Sequence, residues 1–280
     1  MSDLHIRYAE EVAALSGARS PRLFHALSVV RREEFLPPGP WLIEALNGLY
    51  YPSGDADPRR VLHAVGVALD ADRLLNNANP VRFAEQMELI EPQLGETVFH
   101  VGAGVGYYSA ILAELVGPSG KVLATEIDPG FRERARANLA AWPWVELTGD
   151  AMDTAVPPID VLYSSAGLGT LPPSWLAALR PGGRMIVPIT DKRNHGLVLL
   201  LRKTEEGRPW SAGLLSFTRH YPCHGTRGDD DLNAVSAALG RPPALVTSLV
   251  FDKHEPGETC WLHGDGWCVS TRPLETFAIK

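Results

Sequence analysis

Three glycines at alternate positions constrain this chain more than any other feature. Gly102, Gly104 and Gly106 follow directly on the apolar run Val98 to Val101, and an apolar-periodic segment, Tyr107 to Val116, comes next. That succession reads as a buried strand, a tight turn and a helix, the opening of a βαβ unit. Glycines there permit positive φ and let a ligand lie against bare backbone at a helix N-terminus.

The neighbouring residues narrow the choice of ligand. A dinucleotide loop wants a glycine or alanine where this chain has the bulky Tyr107, and a Walker loop wants Gly-Lys-Ser/Thr where no lysine occurs. The alternate-glycine turn is the type used by S-adenosylmethionine (AdoMet) methyltransferases. A second strand, Lys121 to Thr125, runs into Glu126. That carboxylate stands about 20 residues past the loop, where it can take both ribose hydroxyls. A third strand, Val145 to Thr148, leads to Gly149-Asp150, the usual place for a residue holding the adenine amino group. The expected cofactor is therefore AdoMet. It would be held by Gly102, Ala103, Gly104, Gly106, Tyr107, Glu126, Ile127, Asp150 and Ala151.

Charge and composition exclude other classes. The net charge of −7 over 280 residues leaves no basic stripe for nucleic acid. No signal peptide precedes the first helix, and the longest apolar runs are far short of the about 20 residues a membrane span needs. Three cysteines imply no disulfide framework. A cytoplasmic protein with neither nucleic-acid nor membrane partner is expected.

In chain order, Tyr8 to Leu15 and Arg22 to Val30 carry apolar residues at helical spacing, and a short helix is expected from Trp41. Val61 to Leu69 fits a strand pair or a short helix. Leu74 to Asn79 reads as a polar loop before a helix from Pro80 to Ile90. Alternating β and α segments then run through strands 97–101, 121–126, 145–148 and 159–164. Arg180 to Gly183 reads as a turn feeding the strand 184–188. This is an α/β pattern with a doubly wound parallel sheet. Past residue 195 the rhythm changes to a hairpin turning at Glu205 to Gly207, a helix from Asp229 to Leu239 capped by Asp230 or Asp231, and two strands around Gly264-Asp265-Gly266. Three parts are expected: a helical cap with the active-site loop (1–90), the cofactor-binding core (91–204) and a C-terminal extension of strands (205–280).

Residues of about 20–200 resemble the protein-L-isoaspartate O-methyltransferase family, a branch of the class I AdoMet methyltransferases. The resemblance is carried by Val30-Arg-Arg-Glu-Glu-Phe-Leu-Pro37, Asn77-Ala-Asn-Pro80, Val98 to Leu115, and Ile159 to Ala166 with Leu179 to Pro188. It implies a Rossmann-like, mostly parallel seven-stranded sheet. It also makes Asn76 to Asn79 the active-site loop, with Asn76, Ala78, His100 and Ser164 beside the cofactor and Asn77, Asn79 and Ser165 orienting the acceptor. Two departures stand out. Ala78 replaces the loop's serine or threonine hydroxyl, and His100 replaces an acidic residue before the glycines.

A carboxylate acceptor, ionised at neutral pH, needs no general base, whereas an alcohol or amine usually does. The loop asparagines and Ser164-Ser165 orient without deprotonating, which favours a carboxylate; the resemblance implies one on a peptide or protein. Should a base be needed, His63, Asp72 and His100 are nearest in sequence. A small metabolite or biosynthetic peptide as acceptor, and an AdoMet-binding protein without turnover, are the alternatives. Cys223-His224, Cys260-x-x-His263 and Cys268 offer zinc-ligand types, but their spacing fits no finger pattern, so no metal is expected.

Overall fold

The computed structural model describes residues 3–45, 48–204, 209–241, 245–252 and 254–274. In chain order the elements are α1 (Asp3–Ser16), α2 (Pro21–Val29), α3 (Arg32–Phe35), β1 (Leu42–Glu44), β2 (Tyr50–Pro52), β3 (Gly66–Asp70), β4 (Leu75–Asn77), α4 (Pro80–Ile90), β5 (Thr97–Val101), α5 (Tyr107–Val116), β6 (Lys121–Thr125), α6 (Pro129–Asn138) and β7 (Val145–Thr148). There follow β8 (Ile159–Ser164), α7 (Pro173–Ala178), β9 (Leu179–Thr190), β10 (His195–Arg202), β11 (Trp210–Arg219), α8 (Asp229–Leu239), β12 (Ser248–Val250), β13 (Cys260–Gly264) and β14 (Trp267–Ser270). Among the described residues no helix is long and apolar enough to cross a membrane.

Three helices begin with one device, a polar side chain capping the first turn and a proline just inside it. Ser20 accepts from Leu23 N before Pro21, Asn79 from Val81 N before Pro80, and Asp128 from Phe131 N before Pro129. The chain forms two compact units, 1–96 with 103–149, and 97–102 with 150–280; the boundary passes through the glycine turn.

In the first unit α1 and α2 pack on each other, and α1 on α4. Every residue of α5 except Glu114 is buried, so this helix is apolar on all sides, as a core helix must be. Strands β6 and β7 pair in parallel. The N-terminal part is not wholly helical. A four-stranded antiparallel sheet, β2-β1-β3-β4, occupies the positions expected to be a helix from Trp41 and a polar loop at 74–79. Three-residue strands such as β1 and β4 are too short to show a period, and only their partners define them.

The second unit carries eight strands in the order β13-β14-β12-β11-β10-β9-β8-β5. β5, β8 and β9 pair in parallel, and from β9 outward every pairing is antiparallel. The fold is the expected Rossmann-like α/β class, but the strand count exceeds seven because the C-terminal extension continues the sheet. Arg180 to Gly183 is not a turn that precedes a strand. It is a bulge within the twelve-residue β9, whose register on β8 jumps from Ile159↔Leu179 to Val161↔Arg184. The cap of α8 is Gly228, with Asp229, Asp230 and Asp231 in its first turn instead. The hairpin β10–β11 forms as expected; its turn at Glu205 to Gly207 lies outside the described residues.

Candidate active site

In the first unit the glycine turn and the acid after β6 come together. Gly104 N donates to Glu126 Oε2 at 2.6 Å, and Asp128 N donates to Oε1 at 2.9 Å. Each carboxylate oxygen keeps further lone-pair capacity, which is what two ribose hydroxyls require. Burial, the larger influence, raises the pKa of Glu126 against the opposing pull of these two N–H groups. Ile127, next along, exposes 53% of its surface, leaving an apolar face beside the acid. Gly104 has φ +57, and a Cβ there would meet nothing closer than Leu69 Cδ1 at 3.9 Å. The space over this turn is open, so these residues fit a nucleoside sulfonium. Gly106 has a different reason to be glycine: at φ +93, an added Cβ would press within 3.0 Å of Leu139 Cγ.

Tyr107 is expected both to pack in the core and to stand beside the cofactor, and the structure accounts for its side chain by the core alone. Its ring is fully buried, its hydroxyl pairs with Tyr8 Oη at 2.9 Å, and Phe35 meets it edge-on at 5.5 Å. The side chain is core.

The loop at Asn76 to Asn79 is held by Arg32, a residue whose role its local sequence does not reveal. Arg32 is fully buried. Its guanidinium donates to Asn77 Oδ1 and to the carbonyls of Val61, His63, Val65, Asn77 and Ala78 at 2.7–3.3 Å. Tyr108 Oη adds a 2.6 Å bond to the Ala78 carbonyl. Asn77 is therefore not free to orient an acceptor: it is buried and its side-chain oxygen serves Arg32. Asn79 is likewise structural, because its Oδ1 caps α4 and its Nδ2 donates to Ala64 O at 2.7 Å. Asn76 donates to Glu44 Oε2 and Tyr50 Oη. The side chain of Ala78, by contrast, belongs to an exposed residue at the tip. Of the candidate bases in this unit, His63 is an exposed partner of Glu11, and Asp72 is exposed.

In the second unit His100 lies in mid-β5 with no exposed surface, and its Nε2 sits 3.1 Å from Ser165 Oγ. Tyr163 packs on the imidazole at 5.4 Å and hydrogen-bonds Ser165. Burial drives the His100 pKa down to about 3, so the ring is neutral at working pH and is no general base. Ser165 is half-buried at the end of this buried polar row. Ser164 is buried and turns its Oγ onto Ala166, 2.7 Å from the carbonyl and 3.2 Å from the N–H. Gly102, at φ +79, faces Ala166 at ordinary contact distance. Asp150 accepts from Met152 N through Oδ1 and pairs through Oδ2 with Nδ1 of the exposed His224 at 2.7 Å, while Ala151 is buried. Ala103, of the first unit, is buried too, its N–H bonded to Thr125 O.

Comparison with known proteins bears on the family and the fold. The sequence profile of the family "Protein-L-isoaspartate(D-aspartate) O-methyltransferase (PCMT)" matches residues 68–212. A protein-L-isoaspartate O-methyltransferase of Methanopyrus kandleri is 33% identical over 207 residues, covering 72% of this chain and 83% of that one. Its counterpart in Aeropyrum pernix is 31% identical, covering 74% of each. Among solved structures, a protein-L-isoaspartate O-methyltransferase superposes with TM-score 0.64 at 23% identity over 83% of this chain and 69% of that one. A Plasmodium falciparum PCMT in complex with S-adenosyl-L-homocysteine gives 0.60 at 12% identity over 78% and 97%. The structural likenesses give the fold, and the sequence matches give the family: this chain belongs to the protein-L-isoaspartate(D-aspartate) O-methyltransferase family.

Proposed function

We propose that this chain transfers a methyl group from AdoMet to a carboxylate on a peptide or protein, with isoaspartyl residues as the acceptor class. One observation carries the choice of acceptor: among the described residues, in neither unit is an expected acceptor-side side chain placed to take a proton. His100 is neutral down to about pH 3, Asn77 is engaged by the Arg32 guanidinium, Asn79 is committed to backbone groups, and Ser165 is paired with His100. A carboxylate needs no proton removed before it attacks; an alcohol or ammonium does. AdoMet, when bound, supplies an activated methyl group on a sulfonium that leaves as a neutral thioether.

The residues of this chain then serve by placement, where well-oriented reactants gain large effective molarities. Glu126 is the proposed ribose ligand, the open turn at Gly104 admits the cofactor's body, and exposed Ile127 offers an apolar surface beside it. Asp150 is the proposed partner of the adenine amino group, for which His224 must give up Oδ2; an exposed pair of this kind is worth little. The Arg32-anchored loop presents Ala78 as the acceptor-side contact. The parts at 1–90, 91–204 and 205–280 are proposed to divide the labour as acceptor loop, cofactor core and extension.

Incubation with methyl-labelled AdoMet and an isoaspartyl peptide tests this directly. The expected product is a base-labile ester that releases labelled methanol. Label that is retained through base treatment, or no label on the peptide while AdoMet still binds by calorimetry, overturns the carboxyl reading.

A further inference from the structure

The last strands of the chain gather four metal-binding side chains that methyl transfer does not use. Cys260 opens β13, His263 lies three residues on, and Cys268 of β14 stands opposite His263 in the register. His254 comes from the segment before β13. One ligand atom from each, two sulfurs and two imidazole nitrogens, all lie within 4.8 Å of one another. His254 Nε2 is 3.1 Å from Cys260 Sγ, and the two imidazoles stand 4.9 Å apart and nearly perpendicular, at 86°. In a tetrahedral zinc site the bonds are about 2.3 Å to sulfur and about 2.0 Å to nitrogen, which separates the ligand atoms by about 3.3–3.8 Å. Closing on an ion therefore asks for shifts of about 1 Å at most.

Three further observations point to a ligand. His263 Nδ1 is buried and meets no hydrogen-bond partner, an expensive state for an imidazole nitrogen. His254 turns its Nδ1 to Asp252, 3.0 Å from the carbonyl and 3.2 Å from Oδ1, which leaves Nε2 directed at the cluster; this is how metal-binding histidines are commonly oriented. Gly257 N–H points at Cys260 Sγ at 3.4 Å. A cleft of about 830 Å³ reaches the two histidines past Asp230, Asp231, Asp252 and Asp265, giving a cation an acidic way in.

We propose that His254, Cys260, His263 and Cys268 form a four-coordinate zinc site that ties β13, β14 and the segment before them together. Two thiolates and two imidazoles suit zinc rather than a hard cation, and four protein ligands leave no open position, so the site is structural. Binding releases the two thiol protons to solvent and involves no redox change. The sequence offers Cys260, His263 and Cys268 as zinc-ligand types although no metal is expected there; Cys223 and His224, noted with them, are not in the cluster. Burial raises the Cys223 thiol to about 11, and His224 pairs with Asp150. The residue that completes the set, His254, lies in a His-x5-Cys spacing that matches no familiar finger.

Full-length protein purified without chelator under reducing conditions, with metal measured by plasma mass spectrometry, is expected to carry about one zinc per chain. After chelation, reloading with Co²⁺ is expected to give the visible bands of tetrahedral cobalt and a thiolate charge-transfer band. Cys268→Ser is expected to lose both, and Cys223→Ser to keep them. Should Cys268→Ser not fold, His254→Gln carries the test, with zinc affinity falling at least about tenfold. A folded, metal-free protein that gives no thiolate–cobalt band overturns the site, as does a Cys260–Cys268 disulfide found by intact mass or metal retained undiminished in both ligand variants.

Discussion

Two buried basic side chains, one in each unit, solve the same problem in opposite ways. Arg32 sits fully buried because six oxygens receive its N–H groups. His100 is equally buried, with Ser165 and the Tyr163 ring among its neighbours, and it remains neutral, burial pushing its pKa down to about 3. Six oxygens around a guanidinium offset the cost of burying it, whereas for the imidazole burial prevails and the ring stays neutral. The carbonyls that surround Arg32 belong to the residues before α4, so the guanidinium is the scaffold of the loop at 76–79.

The largest expected effect breaks the first half of that contrast. Arg32→Met would leave several buried carbonyls without donors, at about 1–3 kcal/mol for each that water cannot reach. A loss of at least about 3 kcal/mol in urea unfolding is expected, with Arg32→Lys recovering only part, since an ammonium cannot reach the same set. A loss below about 1 kcal/mol would show that water replaces the guanidinium, and the contrast would fail.

The second half is tested by pH. The unfolded chain takes up a proton on His100 near 6.5, and the folded chain only near 3. Stability is therefore untouched by this residue above pH 6.5. It declines as pH falls below that, by about 1.4 kcal/mol per unit, until the decline stops near pH 3. At pH 5 the difference is about 2 kcal/mol. His100→Gln, which does not titrate, should show a shallower acid slope than the wild type; identical slopes would mean that the imidazole gains a proton without opposition.

The fold was legible wherever its cause is local. The apolar run to Val101, the alternate glycines and the Ser/Asn/Asp-Pro caps announce β5, α5 and three helix starts in the sequence itself. What was not legible depends on partners far along the chain. β1 and β4 exist because each pairs with β3, and Asn77 reads as an orienting side chain until Arg32, 45 residues earlier, is seen to hold it. Tyr107 shows the same limit. Its place after the turn suggests a ligand wall, yet Tyr8 and Phe35 claim its ring. In the C-terminal part, Pro181, Gly182 and Gly183 carry turn chemistry that β9 absorbs as a bulge.

Smaller effects sharpen the picture of the loop. Asn79→Ala removes the cap of α4 and the donor to Ala64 O, and is expected to cost about 1–2 kcal/mol in thermal or urea unfolding. An unchanged midpoint with altered methylation would return Asn79 to the acceptor-orienting role. Ala78→Ser should have the smallest effect on stability, within about 0.5 kcal/mol, because residue 78 is exposed and the loop is fastened through its carbonyl, not its side chain. Its effect on chemistry should be larger. A hydroxyl at that tip can donate to an acceptor carboxylate, and a hydrogen bond to a charged group is worth about 1.5–3 kcal/mol, or roughly 10–100-fold in kcat/KM for an isoaspartyl peptide. If Ala78→Ser leaves that ratio unchanged while AdoMet binding is intact, the loop that Arg32 builds does not meet the acceptor carboxylate, and the buried guanidinium is a structural device without a catalytic purpose.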